Sequence, residues 1–148
     1  MEKGLDFLKE EYFHLQSTVE SFDERSLTVK SWSVTISMAG IGIAFIEKIP
    51  FLFLLAAASS LLFWIIETIW KTFQQAFYYR LTNIEKYLNG IKFDDFRYPY
   101  ITSSWGKGWK SVSFIKVFFW PHVLLPHLII IIAGITLWLI NLNTPIIK

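Results

Sequence analysis

The sequence predicts an all-α membrane protein with three spanning helices, and two observations lead to this prediction. Hydrophobic residues make up 53% of the chain and charged residues only 18%, which is apolar for a soluble domain. Asp, Glu, Lys and Arg are also missing from three windows, 31–46, 49–66 and 117–147. A bilayer core of ~30 Å needs about 20 helical residues, so each window marks one span, the first with help from flanking residues. One such window would suit a buried helix of a soluble bundle, but three windows favour lipid.

The stretch FIEKIPFLF, between the first two windows, indicates a turn. Read as one helix, 31–70 would extend ~60 Å, twice the hydrocarbon thickness. Glu47 and Lys48 would then lie near the bilayer centre, where each charge costs about 2.5 kcal/mol or more. Folding the chain back here moves both charges to the far interface. It also places Pro50 in the first turn of the next helix, where its missing N–H costs little.

Helical periodicity continues beyond both of these spans. One apolar seam recurs at heptad spacing, at Leu5, Leu8, Tyr12, Leu15, Val19 and Phe22. A second stripe consists of Trp70, Phe73, Phe77, Leu81, Ile84 and Leu88, and it stops at Asn89-Gly90, a favourable helix end. We expect the two seams to pack antiparallel as a cytoplasmic stalk. Two helices bury one seam only partly, so the stalk is expected to associate with copies of itself.

The positions of Lys and Arg predict the orientation, because cytoplasmic segments are enriched in them. The N-terminal segment and 71–116 hold most of these residues, whereas the turn has only Lys48 and the tail only Lys148. The N-terminus is therefore expected in the cytoplasm and the C-terminus outside the inner membrane. We interpret the chain as a single membrane domain. In order, its parts are a cytoplasmic helix 5–28, spans 29–49 and 50–70, a cytoplasmic extension 71–89, an interfacial aromatic and basic loop 90–116, a third span 117–141 and an external tail 142–148.

One face of the first span carries only small side chains, at Ser33, Ser37, Gly40 and Ala44. Small residues let helix backbones approach closely in lipid, where hydrophobicity does not drive association. Packing within the hairpin is the simpler interpretation of this face. A contact between subunits, or the wall of a narrow pore, is the alternative.

Three ionisable residues, Glu67, His122 and His127, are predicted within or beside the spans. Glu67 lies four residues before Lys71, a favourable order for a helical ion pair that anchors the span at the interface. A pore-lining or proton-relay carboxylate is the alternative. The histidines are five residues apart, a poor spacing for two ligands on one helix face unless Pro126 bends the helix. Interfacial hydrogen bonding is favoured over metal binding or proton sensing, and no metal or cofactor is predicted.

The segment 90–116 interleaves aromatic and basic residues, including Trp105, Lys107, Trp109 and Lys110. An amphipathic loop on the anionic inner leaflet is the simpler interpretation. A docking surface for a cytoplasmic protein or a nucleotide signal is the alternative, although SSWGKGWK lacks the spacing of a phosphate-binding loop.

Several function classes are disfavoured. The chain has no cysteine, which excludes disulfides and thiolate metal sites. Its net charge of +2 is too small to argue for nucleic acid. A nucleophile–base pair, a metal cluster or a dinucleotide motif is not recognisable, so an enzyme is not predicted.

The layout of 5–89, from LDFLKEEYFHLQ through the EKIP turn to NIEKYLNG, resembles small two-span membrane effectors of bacterial defence systems, the SLATT type. The resemblance implies oligomers that compromise the inner membrane when a signal arrives. The third span has no counterpart in that plan.

Three function hypotheses follow from the residues and from this resemblance. The first is an oligomeric inner-membrane protein that forms or gates a pore or lesion. The second is a non-conducting anchor or accessory subunit that recruits a cytoplasmic protein partner through its stalk and aromatic loop. The third, a proton-coupled transporter using Glu67 and the histidines, has the least support because one carboxylate and no inverted repeat are recognisable.

Overall fold

The computed structural model describes residues 2–91, 100–144 and 147. Within these ranges the chain forms five helices, α1 (Glu2–Glu47), α2 (Phe51–Leu88), α3 (Ile101–Ser111), α4 (Phe114–Phe118) and α5 (Pro121–Asn143). The all-α prediction is therefore confirmed for the described part of the chain. Residues 92–99 of the predicted loop, and most of the tail beyond residue 144, lie outside the described residues.

Helices α1, α2 and α5 are long and apolar enough to cross a membrane, as the three charge-free windows predict. Many large apolar side chains on their surfaces remain exposed, among them Ile36, Leu62 and Ile129. Extended apolar surface of this kind is unusual on a soluble monomer and fits contact with lipid.

The reversal between α1 and α2 is confirmed at Lys48. This residue adopts a left-handed conformation with φ 59°, which glycine usually provides at helix ends. The N–H of Ile49 donates to the carbonyl of Ala44 at 3.1 Å, the long hydrogen bond of a Schellman motif. Pro50 then immediately precedes α2, where its missing N–H leaves no intrahelical bond unmade.

The predicted end of α2 at Asn89-Gly90 is confirmed by the same motif. Gly90 has φ 76°, and the N–H of Ile91 donates to the carbonyl of Lys86 at 3.0 Å. The N–H of Gly90 donates to Tyr87 at 3.0 Å, so two of the last helical carbonyls have partners.

The structure divides the chain into two compact units. The first unit comprises Met1–Arg25 and Trp70–Phe114, and the second comprises Ser26–Ile69 and Ile115–Lys148. Helices α1 and α2 each contribute to both units.

In the first unit, α1 and α2 pack antiparallel through the two predicted seams. The buried core consists of Leu8, Leu15, Val19, Leu81 and Ile84, with Tyr12, Phe77 and Ile101 packed against it. Polar contacts flank this core: the side-chain amide of Gln74 donates to the carbonyl of Val19 at 2.8 Å. Leu5 and Leu88, at the two ends of the seams, remain exposed.

The expected loop over 90–116 is wrong for Ile101–Ser111 and Phe114–Phe118, which are helical. The ring centroid of Trp109 lies 5.2 Å from that of Phe73, and Trp105 packs on both Phe73 and Phe77. Helix α3 thus covers the apolar stripe of α2 within the same chain. Burial of this stripe compensates for the low helix propensity of the two glycines in α3.

The second unit packs α5 antiparallel to its part of α2. Its apolar core consists of Ile41, Ala44, Phe53 and Ala56. A Cβ added at Gly134 of α5 would lie only 2.7 Å from the carbonyl oxygen of Phe53. Glycine at this position therefore lets the two helix backbones approach closely, as small residues do in membrane bundles.

Candidate functional site

Polar side chains from three helices meet inside the second unit, and we refer to them as the buried network. Its members are Ser26, Lys30 and Ser33 from α1, Ser60 and Glu67 from α2, and His127 from α5. The α1 members recur at intervals of four and three, and the α2 members are seven residues apart. Each helix therefore presents its polar groups on one face.

The carboxylate of Glu67 is the centre of the buried network, and its side chain is fully buried. Its Oε1 accepts hydrogen bonds from Ser26 Oγ and from Lys30 Nζ, each at 2.9 Å. Its Oε2 lies 2.9 Å from His127 Nε2. A buried carboxylate without such partners would carry a cost of several kcal/mol, on the order of 3–5 kcal/mol when one partner is removed. Both oxygens of Glu67 are satisfied, and the charge of Lys30 balances its own.

The other nitrogen of His127 continues the network towards two serines. Nδ1 of His127 lies 2.8 Å from Ser33 Oγ, and Ser33 Oγ lies 3.3 Å from Ser60 Oγ. The hydroxyl of Ser60 donates to the backbone carbonyl of His127 at 3.1 Å. The hydrogen bonds thus run from Glu67 through the imidazole and both hydroxyls back to α5.

With Glu67 ionised, two arrangements of protons fit these atom positions. With a neutral imidazole, Nε2–H donates to Glu67 and the hydroxyl of Ser33 donates to Nδ1. The Ser33–Ser60 contact then has no proton, because the hydroxyl of Ser60 already donates to the His127 carbonyl. With a protonated imidazole, Nδ1–H donates to Ser33, whose hydroxyl donates to Ser60, and every contact contains a proton. The second arrangement gains one hydrogen bond and adds one positive charge to the buried network.

Ser33, His127 and Glu67 also follow the order of a nucleophile, a base and an orienting carboxylate, a relation that sequence analysis did not detect. In hydrolases such a chain activates the hydroxyl for attack on a carbonyl group. Here all three side chains are fully buried within the chain, so a substrate has no access to Ser33 in this arrangement. This arrangement therefore does not present the Ser33 hydroxyl for acyl transfer.

The expected ion pair between Glu67 and Lys71 is wrong. Glu67 pairs with Lys30, whose side chain is partly exposed. In the first unit, Lys71 Nζ pairs with the carboxylate of Asp23 and donates to Gln74 Oε1 at 3.0 Å. Glu67 and Lys71 therefore each pair with a residue of α1 instead of with each other.

The structure separates the two histidines of the third span. His127 is buried in the network, whereas His122 is exposed, with its ring centroid 5.4 Å from that of Trp120. Over residues 2–91, 100–144 and 147, no group of three or more His, Asp or Glu side chains is placed to hold a metal ion.

The small-residue face of the first span is buried inside the chain. Ser33, Ser37 and Ala44 are fully buried, and Ser37 Oγ donates to the carbonyl of Ala56 at 3.1 Å. A Cβ at Gly40 would lie 3.5 Å from that of Ala56. The face packs α1 on α2, which leaves none of these buried residues for a contact with another subunit or for a pore wall.

The four aromatic and basic residues of α3 have two different roles. The rings of Trp105 and Trp109 stack at 5.5 Å and pack against α2, so they serve internal packing. Lys107 and Lys110 are exposed, with Lys107 Nζ lying 5.5 Å from the ring centre of Tyr100. The two lysines and the edge of Trp109 lie on the exposed side of α3, where a partner or lipid headgroups could contact them.

Comparisons with protein-family models, with curated proteins and with solved structures found no match. Function must therefore be inferred from the chemistry of these sites.

Proposed function

We propose that this chain is an integral inner-membrane protein that works as an oligomer and forms or gates a membrane pore or lesion. Helices α1, α2 and α5 cross the bilayer, with the N-terminus in the cytoplasm and the C-terminus outside. The first unit is the cytoplasmic stalk. A role in bacterial defence is the setting suggested by the resemblance of the layout to two-span effectors.

The buried network is the observation that supports this proposal most. Ionisable groups inside a membrane are costly and usually mark function. Apolar side chains of similar volume would hold the three helices together at least as well as a buried ion pair. Glu67 and His127 join α1, α2 and α5. A change of charge in this network would therefore alter the packing of all three spans. A gate requires this dependence of helix packing on charge.

The oligomeric part of the proposal follows from the packing of one copy. Its three spans contact one another through buried side chains, including Ser37, Ala56 and Gly134. A conducting path would therefore have to form between copies, because the interior of a single copy is filled.

Release of a small dye from liposomes tests the proposal. Purified protein should release the dye, and the rate should vary between pH 5 and pH 8, the range in which histidine changes charge. Glu67→Gln should change the rate at least tenfold, whereas Glu47→Gln, at an exposed carboxylate, should leave it unchanged. A wild-type protein that is monomeric and inert across this pH range would overturn the proposal.

A non-conducting membrane anchor is the second candidate, and one observation favours it. Helix α3 covers the stripe of α2 within the chain, so the expected drive for self-association of the stalk is reduced. The exposed pair Lys107 and Lys110 would then contact a cytoplasmic protein. A stable partner that is purified from native membranes and lost with Lys107→Ala/Lys110→Ala, together with no dye release, would favour the anchor.

A further inference from the structure

The pairing of α1 with α2 in the first unit creates two grooves, one on each side of the contact. Helix α3 fills the first groove, where Gly108 lies so close to Ala76 that an added Cβ would be 2.2 Å from its carbonyl oxygen. The second groove is open and has a volume of about 490 Å³. It lies between one face of α1, which includes Tyr12 and Asp23, and one face of α2, which includes Tyr78 and Glu85.

The open groove combines features of a protein interface. Val19 and Leu81 form a nearly buried apolar floor. Tyr12 and Tyr78 line its sides, and tyrosine is enriched where protein surfaces bind one another. An apolar centre with aromatic sides and a polar rim is the usual anatomy of such a surface.

The rim of the open groove is acidic. It carries the carboxylates of Glu20, Asp23 and Glu85, and no Lys or Arg is among the described residues that line the groove. Glu85 accepts a hydrogen bond from Tyr12 at 3.0 Å, and Glu20 accepts one from Gln16 at 3.3 Å. Lys71 neutralises Asp23 alone, so the rim retains negative charge that suits a basic partner.

We propose that the open groove receives the basic face of α3 from a second copy of this chain. Lys107 and Lys110 are exposed on α3 and are three residues apart, as are Glu20 and Asp23 on α1. Side chains at this spacing on a helix are about 5–6 Å apart at Cβ, so the two pairs match in position. The match in charge rests on Lys110 and Glu20, because Asp23 already pairs with Lys71.

The arrangement of this contact determines the kind of assembly. The open groove and α3 lie on different sides of α2 in the first unit. Each copy therefore offers its groove to one neighbour and its α3 to another. A heterologous contact of this kind generates a ring if the rotation closes and a filament if it does not. The inference deepens the proposed function and rests on its oligomeric part.

Disulfide cross-linking of the full chain in membranes tests the contact, because the chain has no native cysteine. Glu20→Cys combined with Lys110→Cys should give covalent dimers and a ladder of higher oligomers under mild oxidation. Glu10→Cys combined with Lys110→Cys is the matched control, since Glu10 is exposed on α1 but does not line the groove. Equal cross-linking of the two pairs, or none with the first pair, would overturn the contact.

Charge reversal gives an independent test through the oligomeric mass in detergent. Glu20→Lys and Lys110→Glu should each weaken association, by about fivefold for an exposed ion pair. The double variant should restore association, whereas Glu10→Lys combined with Lys110→Glu should not. Failure of the first double variant to restore association would contradict the contact, and the inference would be wrong.

Failure of this inference can be distinguished from failure of the proposed function. Dye release without the Glu20–Lys110 cross-link would contradict the interface and leave the pore proposal standing. The cross-link without dye release would support the interface and contradict the pore.

Discussion

The two units of this protein both join α1 to α2 through a buried carboxylate and a cation, but with different chemistry. In the first unit, Arg80 donates two hydrogen bonds to Glu11, at 2.7 and 2.9 Å, and both side chains are nearly fully buried. In the second unit, Glu67 shares its two oxygens among a lysine, a serine and a histidine.

The difference separates a fixed contact from one that can change its charge. The planar group of arginine matches a carboxylate, so Arg80 holds Glu11 through two hydrogen bonds in one fixed geometry. Histidine changes charge between pH 5 and 8. The second unit instead contains an imidazole between Glu67 and Ser33, and this is where the proposed gate would lie.

The largest expected effect is on the fixed contact. Arg80→Met leaves the carboxylate of Glu11 buried without its cation, which should lower the free energy of unfolding by about 3–5 kcal/mol. The double variant Glu11→Leu/Arg80→Met removes both charges and should recover most of that loss. Chemical unfolding in detergent, followed by tryptophan fluorescence, measures both. If the single variant lowers the free energy of unfolding by less than about 1 kcal/mol, the buried pair contributes no more than an exposed one.

A substitution in the network should have a smaller effect on stability but a specific effect on function. His127→Gln removes the imidazole that joins Glu67 to Ser33. It should cost about 1–3 kcal/mol through unsatisfied polar groups and abolish the pH dependence of dye release. His122→Gln is the matched control, since His122 is exposed on the same helix. If both variants, or only His122→Gln, lose the pH dependence, the network is not the sensor.

Two glycines of α3 should respond in opposite directions. Gly108→Ala forces α3 away from Ala76 and should cost about 1–3 kcal/mol. A Cβ at Gly106 meets nothing within 4 Å, so Gly106→Ala should stabilise the helix by about 0.5–1 kcal/mol through propensity. Thermal unfolding monitored by tryptophan emission compares them. Equal effects of the two variants would contradict the close approach of α3 to α2.

The smallest predicted effect concerns Tyr12 in the first unit. Its hydroxyl donates to the carboxylate of Glu85, and this hydrogen bond raises the pKa of Tyr12 above its ordinary value. The stabilisation is therefore complete below the pKa of an unfolded tyrosine, about 10, and is lost as pH rises through the higher folded pKa. Tyr12→Phe should lower the unfolding midpoint slightly at pH 8, and this difference should shrink as pH rises through the raised pKa of Tyr12. A difference in unfolding midpoint between wild type and Tyr12→Phe that grows with pH would contradict this prediction.

The helices and their ends could be predicted because local chemistry determines them. The charges of Glu47 and Lys48 are costly inside a bilayer, which predicts a turn there. Asn89-Gly90 supplies the left-handed residue with which many helices end. Helix α3 was missed because Gly106 and Gly108 mask its periodicity. It forms because its tryptophans have a stripe on α2 to cover.

The buried network could not be predicted because its members are far apart in sequence. Glu67 and His127 are separated by 60 positions, and only tertiary packing brings them within 2.9 Å. One signal was present: Ser26, Lys30 and Ser33 form a polar stripe at helical spacing beside an apolar span. The nearest sequence partner of Glu67, Lys71, was the wrong choice because cations on neighbouring helices were in reach.

Membrane topology tests most directly whether lipid surrounds the second unit. Single cysteines can be introduced at exposed Glu47 and Glu10 into a chain that has none. A membrane-impermeant maleimide added to intact cells should label Glu47→Cys, and should label Glu10→Cys only after the cells are opened. Equal labelling of both positions in intact cells, or recovery of the protein in the soluble fraction, would contradict a chain that crosses the membrane and turns back at Lys48.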